Sequence, residues 1–262
     1  MNGMSFTVSG VLAALFLLIG ILGCVEIGRR VGIHRMRKDP DAHQGVRAVE
    51  GAVFGLLSLL IAFTIYGAAE RLDKRRELLV EETNRIAEAW RRIDLLAPAD
   101  QPAVREIFRQ YLDSRLDLYR KLRQGKEAAA EEMAISQKLQ NVVWQKSLAA
   151  AESQSASKDA TRLLVPALNQ MIEITTDQAM ALRMHPPTII FVMLFGVSFA
   201  SSLLAGYSMA SASSHNWLYT FCFAAVLAVS VYVIIDLEYP RLGLIRVDSF
   251  DQALVDLRHE FN

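Results

Sequence analysis

The sequence predicts an all-α integral membrane protein, with four transmembrane helices and an extramembrane helical bundle between the second and third. Three observations predict it. The chain of 262 residues is 52% apolar, with mean hydropathy +0.23, yet it carries 28 basic and 28 acidic residues. Apolar and charged residues must therefore be segregated along the chain. Four continuously apolar runs of about twenty residues lie in two pairs, each long enough to cross a hydrocarbon core of about 30 Å as a helix. Between the pairs, apolar residues recur at steps of three and four, the period of an amphipathic helix.

The first span runs from about Phe6 to Ile27, and Arg29 and Arg30 end it. Met1–Thr7 has no Lys or Arg, so the run is expected to be a retained helix and not a cleaved signal. A basic connection follows, in which Pro40 and two glycines are expected to break any long helix. The second span covers about Val49–Ala69, with Glu50 and Glu70 near its ends. Pro186 and Pro187 precede the third, about Thr188–Ala210, and suit a helix start. The fourth covers about Trp217–Ile235, with Trp217 and Tyr219 suited to one membrane interface and Tyr232 and Tyr239 to the other. A membrane β-barrel would alternate apolar and polar residues with period two. These runs do not, so helices are expected. The division follows: 1–69 as the N-terminal transmembrane pair, 70–187 as the helical region, 188–235 as the C-terminal pair and 236–262 as a tail.

Within the helical region, Leu72, Leu79, Thr83, Ile86, Trp90 and Ile93 place one stripe on a helix continuing from the second span. Pro98 and Pro102 mark a turn. Val104, Phe108, Tyr111, Leu118 and Leu122 form the next stripe, which Gly125 interrupts. A third segment holds Met133, Ile135, Leu139, Val142 and Val143, and a fourth holds Leu164, Leu168, Met171, Ile172, Thr175 and Ala179. Helices with such stripes pack on one another and on further copies of themselves. Parity puts both termini and this region on one side of the membrane.

Composition and motifs narrow the chemistry. A formal net charge of zero supplies no global basic field for nucleic acid. Cys24 and Cys222 lie in or beside apolar runs with no Cys or His at ligand spacing, which makes them small apolar fillers. The five histidines are scattered. The chain lacks HExxH, a P-loop, a dinucleotide glycine fingerprint and a nucleophile elbow. The expectation is a protein that is not an enzyme and holds no metal or cofactor. Asp236 and Glu238 read as a solvated helix end. Gly51/Gly55, Gly196/Ala200 and Gly206/Ala210 are small-xxx-small pairs that let helix backbones approach. The serines of the third span fit close packing, with a hydrated lining as the sharper alternative.

On the second span, Glu50, Phe54, Leu57, Ser58, Ile61 and Ile65 fall on one broad face and form the candidate pore lining. Rings of apolar side chains gate by dewetting, and charged residues at a mouth bias the sign of the ion. Just beyond, Arg71, Asp73, Arg75, Arg76, Glu81 and Asn84 alternate charges at helical spacing. They form a candidate structural network between the membrane and the helical region.

The run from Ala62 to Leu95 resembles the signature of the bacterial bestrophin-like domain family. Phe63, Arg71, Asp73, Arg75, Arg76, Glu81, Asn84, Ile86, Arg92, Asp94 and Leu95 carry the resemblance. Asp236, Pro240, Gly243 and Val247 resemble its closing motif. The resemblance implies a bestrophin-like arrangement in the bacterial inner membrane, with the termini and helical region cytoplasmic. Through the bestrophins, it further implies a homo-oligomeric ion channel of five copies with the second span lining the path. The acidic calcium-clasp run of animal bestrophins is not evident, so calcium gating is not implied. Acidic span ends argue for cations and the bestrophin resemblance for anions, which leaves selectivity open. The other function class is a non-conducting membrane sensor or scaffold whose helical region binds a partner.

Overall fold

The computed structural model describes residues 3–38, 46–122, 124–210, 217–239, 244 and 248–261. Among these, the regular elements are α1 (Gly3–Met36), α2 (Val46–Arg92), a 3-10 turn (Ile93–Leu95), α3 (Gln101–Leu122), α4 (Lys126–Ala151), α5 (Ala160–Arg183), α6 (Thr188–Met209), α7 (Trp217–Glu238) and α8 (Asp248–Glu260). No strand occurs among the described residues. The all-α fold class expected from the sequence is the one observed.

The chain divides into two units. Arg71–Met184 and the segment carrying α8 form one, and Thr7–Glu70 with His185–Glu238 forms the other. Four helices are long and apolar enough to cross a membrane: α1, α2, α6 and α7. The membrane unit is built inside out. Ile19, Phe63, Leu218 and Val226 are among the large apolar side chains on its outside, whereas Ser198, Ser201 and Ser202 are fully buried. All four spans contribute to its core, through Leu17, Ile21 and Val25 of α1, Leu57 of α2, Leu194 of α6 and Leu227, Val231 and Ile234 of α7.

α1 continues to Met36, well past the point where the sequence suggested a break. The glycines that looked like breakers serve packing instead. A Cβ on Gly28 would lie 2.1 Å from the Leu203 carbonyl oxygen, and one on Gly206 would lie 2.0 Å from that of Val25. Gly32 meets Ala210 and the Tyr207 backbone in the same way. The helix hydrogen bonds supply enough order to carry a glycine, and the missing side chains let α1 and α6 touch backbone to backbone. Gly51, Gly55 and Gly196 have nothing within 4 Å of the corresponding position.

The helical unit is an up-down-up-down four-helix bundle. α2 pairs with α3, α3 with α4, α4 with α5 and α5 with α2 through side-chain hydrogen bonds. Its corners follow local chemistry. Pro102 occupies the first turn of α3, where its missing N–H costs nothing. Gly125, at φ 131°, adopts a conformation closed to other residues and turns the chain into α4. Pro186 and Pro187 stop α5 at Arg183 and let α6 start at Thr188.

α8 was not anticipated from the sequence. Leu254, Leu257 and Phe261 make its buried edge. Phe261 stacks on Trp90 with ring centroids 3.8 Å apart, and its carbonyl accepts a 2.8 Å hydrogen bond from Arg109 Nε. Arg105 lies over the Trp90 ring, 4.5 Å from its centroid.

The α1–α6 contact makes a direct prediction. Gly206→Ala forces two backbones apart and is expected to cost at least the roughly 1–3 kcal/mol typical of overpacking. Gly23→Ala, at a helical glycine with open space around it, is expected to leave the melting temperature of detergent-purified protein unchanged or slightly raised. Equal melting temperatures for the two variants would contradict this packing.

Candidate functional site

The candidate network residues divide between core and surface. Arg75 is buried and donates to the carbonyls of Ala181, at 3.2 Å, and Met184, at 2.9 Å. It thus supplies donors to the end of α5, where helix carbonyls lack intrahelical partners. Asp73 is exposed and accepts a 3.1 Å bond from Arg76 one turn on. Glu81 is half-buried and accepts from Arg85 at 3.2 Å. Asn84 is exposed and Arg71 half-buried. Of the closing motif, Asp236 is 3% exposed, and Pro240, Gly243 and Val247 lie outside the described residues. Glu238 is also buried, with His185 Nδ1 3.5 Å from its carboxylate. Neither acid is the solvated helix end that its position suggested.

The centre of the helical unit is a residue the sequence reading passed over in favour of its neighbour. Glu82 is fully buried. Its carboxylate accepts from Arg115 Nε at 2.5 Å, from Tyr119 Oη at 2.5 Å and from Gln178 Nε2 at 2.8 Å. Arg115 Nη2 also donates to Gln178 Oε1 at 2.7 Å and to Tyr119 Oη at 2.9 Å. Gln178 Nε2 further donates to the Leu78 carbonyl at 3.0 Å. Three helices therefore meet at one carboxylate. One turn away, Gln140 Nε2 donates to Tyr111 Oη at 3.1 Å and to Thr175 Oγ1 at 3.0 Å, which brings in α4.

A signal for this centre was present in the sequence. Leu72, Arg75, Leu79, Glu82, Ile86, Ala89 and Ile93 alternate steps of three and four, so Arg75 and Glu82 stand in the register of the apolar stripe. Arg115 stands in register between Tyr111 and Leu118, and Gln178 between Ile174 and Ala181. A charge in a core register calls for a partner in the core register of another helix.

The electrostatics follow from burial. Burial alone would lower the Arg115 pKa, but Glu82, Tyr119 and Tyr111 outweigh it and hold the guanidinium above its ordinary value. Burial pushes the Tyr111 phenol up to about 12, with Glu82 adding to the rise and Arg115 opposing it. Among the described residues, no group of three or more His, Cys, Asp or Glu side chains is placed to hold a metal ion.

The candidate pore-lining residues take different positions in the membrane unit. Leu57 is buried, and Ile61 and Ile65 are half-buried against the span core. Phe54 is half-buried, edge-on to Phe223 with centroids 5.6 Å apart. Glu50 accepts a hydrogen bond from Ser208 of α6. Ser58 faces outward. The outward strip of α2 continues through Gly51, Gly55 and Ala62, a line of small residues. In α6, Ser198 donates to the Leu194 carbonyl and Ser202 to that of Ser198, both at 2.6 Å, so these hydroxyls are spent on their own helix. The sequence's Ser211, Ser213 and Ser214 lie outside the described residues.

Four apolar helices around an outward apolar surface define a multi-pass membrane protein. The chain matches the Bestrophin-like domain over residues 14–249, nearly its whole length, and it belongs to the Bestrophin-like family. Together these place it in the bacterial inner membrane. No curated protein and no solved structure matches it.

Two predictions follow from the buried centre. Removing one partner of a buried ion pair costs about 3–5 kcal/mol, whereas an apolar pair of similar volume is far better tolerated. Glu82→Leu is therefore expected to destabilise strongly, and adding Arg115→Met to recover part of the loss. Additive losses in thermal unfolding of the full-length protein would mean that the two charges are not coupled.

Tyr111 predicts a pH dependence. The folded chain keeps the phenol proton up to about pH 12, whereas an unfolded tyrosine releases it near 10. The contribution is thus complete below pH 10 and is lost as pH rises through the folded value, by roughly 2 kcal/mol at most. Tyr111→Phe is expected to lose less stability than wild type between pH 10 and 12. Parallel curves for the two proteins would exclude the effect.

Proposed function

We propose that the protein is a homo-oligomeric ion channel whose path is lined by α2. The observation that carries this reading is the exposure of α2 in the single copy. Only 11% of its most apolar stretch is buried, against 22%, 28% and 33% for the other three spans in chain order. The uncovered face is lined by Gly51, Gly55, Ser58 and Ala62. A span that must meet lipid alone gains nothing from such a face. A span that surrounds an axis with its copies gains width for a hydrated path and one hydroxyl ring from Ser58. Phe54, Leu57, Ile61 and Ile65 then back that face from inside each protomer, and Glu50, tied to Ser208, sets the charge near one end.

Five copies is the starting number, taken from the bestrophin resemblance. The network of Arg71, Asp73, Arg75, Arg76, Glu81 and Asn84 serves in this reading as the brace between the path and the bundle, with Arg75 as its buried element. The proposed domain division places the path in 1–69 and 188–235 and the brace at the start of 70–187.

The test uses purified protein in liposomes, in a Cys24→Ala, Cys222→Ala background. Ser58→Cys is expected to conduct, and a charged methanethiosulfonate reagent to reduce its flux while leaving the background protein untouched. Glu50→Gln is expected to shift the reversal potential in a salt gradient, with the direction reporting ion sign. If Phe54→Ala and Ile61→Ala raise flux while modified Ser58→Cys does not lower it, the path runs along the inner face of α2. Absence of flux in every variant, with the oligomer intact, favours the non-conducting sensor or scaffold.

A further inference from the structure

We infer that the bundles of neighbouring copies pair side by side, the outer strip of α4 in one copy seated on the outer strip of α2 in the next. The inference deepens the oligomer reading above and rests on it. It begins with how poorly α4 is satisfied by its own bundle. The only apolar side chain larger than alanine that α4 buries fully is Val143. The rest of its buried face is Ala129, Ser136, Gln140, Ser147 and Ala150. The hydroxyls of Ser136 and Ser147 are buried without a hydrogen-bond partner, a state that costs stability.

The opposite face of α4 is where its aliphatic side chains went. Ile135 is 38% exposed and Val142 37%, in line with Lys138 and Gln145. A helix apolar on both faces is usually covered on both. Lipid does not explain the strip, because Lys138 and Lys146 are interleaved with the aliphatic residues.

A complementary strip exists on the same bundle. On α2, Asp73, Glu77, Val80 and Asn84 point away from the bundle core, with Val80 41% exposed. Asp73 and Glu77 have helix-surface partners in Arg76 and Lys74, but these pairs are exposed and exchange at little cost. Acid and one aliphatic residue on α2 thus match base and aliphatic residues on α4.

Register and direction also agree. Hydrogen bonds link α2 to α3, α3 to α4, α4 to α5 and α5 to α2, so α2 and α4 occupy opposite corners and run in the same direction. Glu82 bonds Arg115, one turn from Tyr111, which bonds Gln140. Val80, just before Glu82, therefore stands near the level of Ile135 and Lys138. Two different strips on opposite corners, parallel and level, are what a heterologous contact needs, and heterologous contacts close into rings.

The test uses full-length protein in mild detergent, in the Cys24→Ala, Cys222→Ala background. Copies carrying Val80→Cys and copies carrying Ile135→Cys, with different tags, are co-expressed and treated with a short bis-maleimide, and native mass spectrometry is run on the same samples. A mixed cross-linked dimer is expected, and the double variant on one chain is expected to give a ladder up to the size of the ring. Lys138→Glu is expected to remove the ladder and added Glu77→Lys to restore it. Oligomers that yield no mixed product, or that link Val80→Cys to itself, overturn the pairing and leave the oligomer reading intact. Monomers alone in native spectra overturn both.

Discussion

The helical unit depends on one buried carboxylate. Glu82 lies where α2, α3 and α5 converge, and its oxygens accept from Arg115, Tyr119 and Gln178. Desolvating two charges costs several kcal/mol per ion unless the geometry satisfies them, and here both ions have multiple partners. The net energy of such a cluster is modest, but its specificity is not. A helix that slipped by one turn would strand Glu82 or Arg115 against apolar neighbours. The apolar stripes alone would tolerate such a slip, since each repeats every three or four residues. The polar layer is the element that distinguishes one register from the next.

The membrane unit obeys the opposite constraint. Its outside is apolar, so segregation of polar residues gives it no inward driving force. Close backbone approach does that work at Gly28, Gly32 and Gly206, where α1 and α6 meet without side chains between them. The polar groups of α6 are neutralised locally, each serine returning its proton to a carbonyl one turn back. α2 takes little part in this packing along its outer strip. The helix that continues into the polar bundle is therefore also the span with the most uncovered surface.

Much of this was legible in the sequence. Four runs of about twenty apolar residues allow one structural answer, because lipid cannot satisfy an open backbone. The helices of the bundle followed from their stripes, and the family from the motif between Ala62 and Leu95. Individual positions were less legible. Glu81 was chosen for the network, yet its neighbour Glu82 holds the centre. The α4 stripe of Ile135 and Val142 read as core, yet both are on the outer face. Gly28 and Gly32 read as breaks and are contacts.

What the sequence determined by itself is the class of element at each position, since helix period and apolar length are local properties. It determined membrane spans, amphipathic helices and their corners at Pro102, Gly125 and Pro186. Only the tertiary structure decided which face of each helix turns inward. On α4 the aliphatic and small-polar faces compete, and the helix turned toward Tyr111 and Thr175 because Gln140 finds hydrogen bonds there. A buried polar group needs a partner from a distant part of the chain, and a local pattern carries no record of that partner.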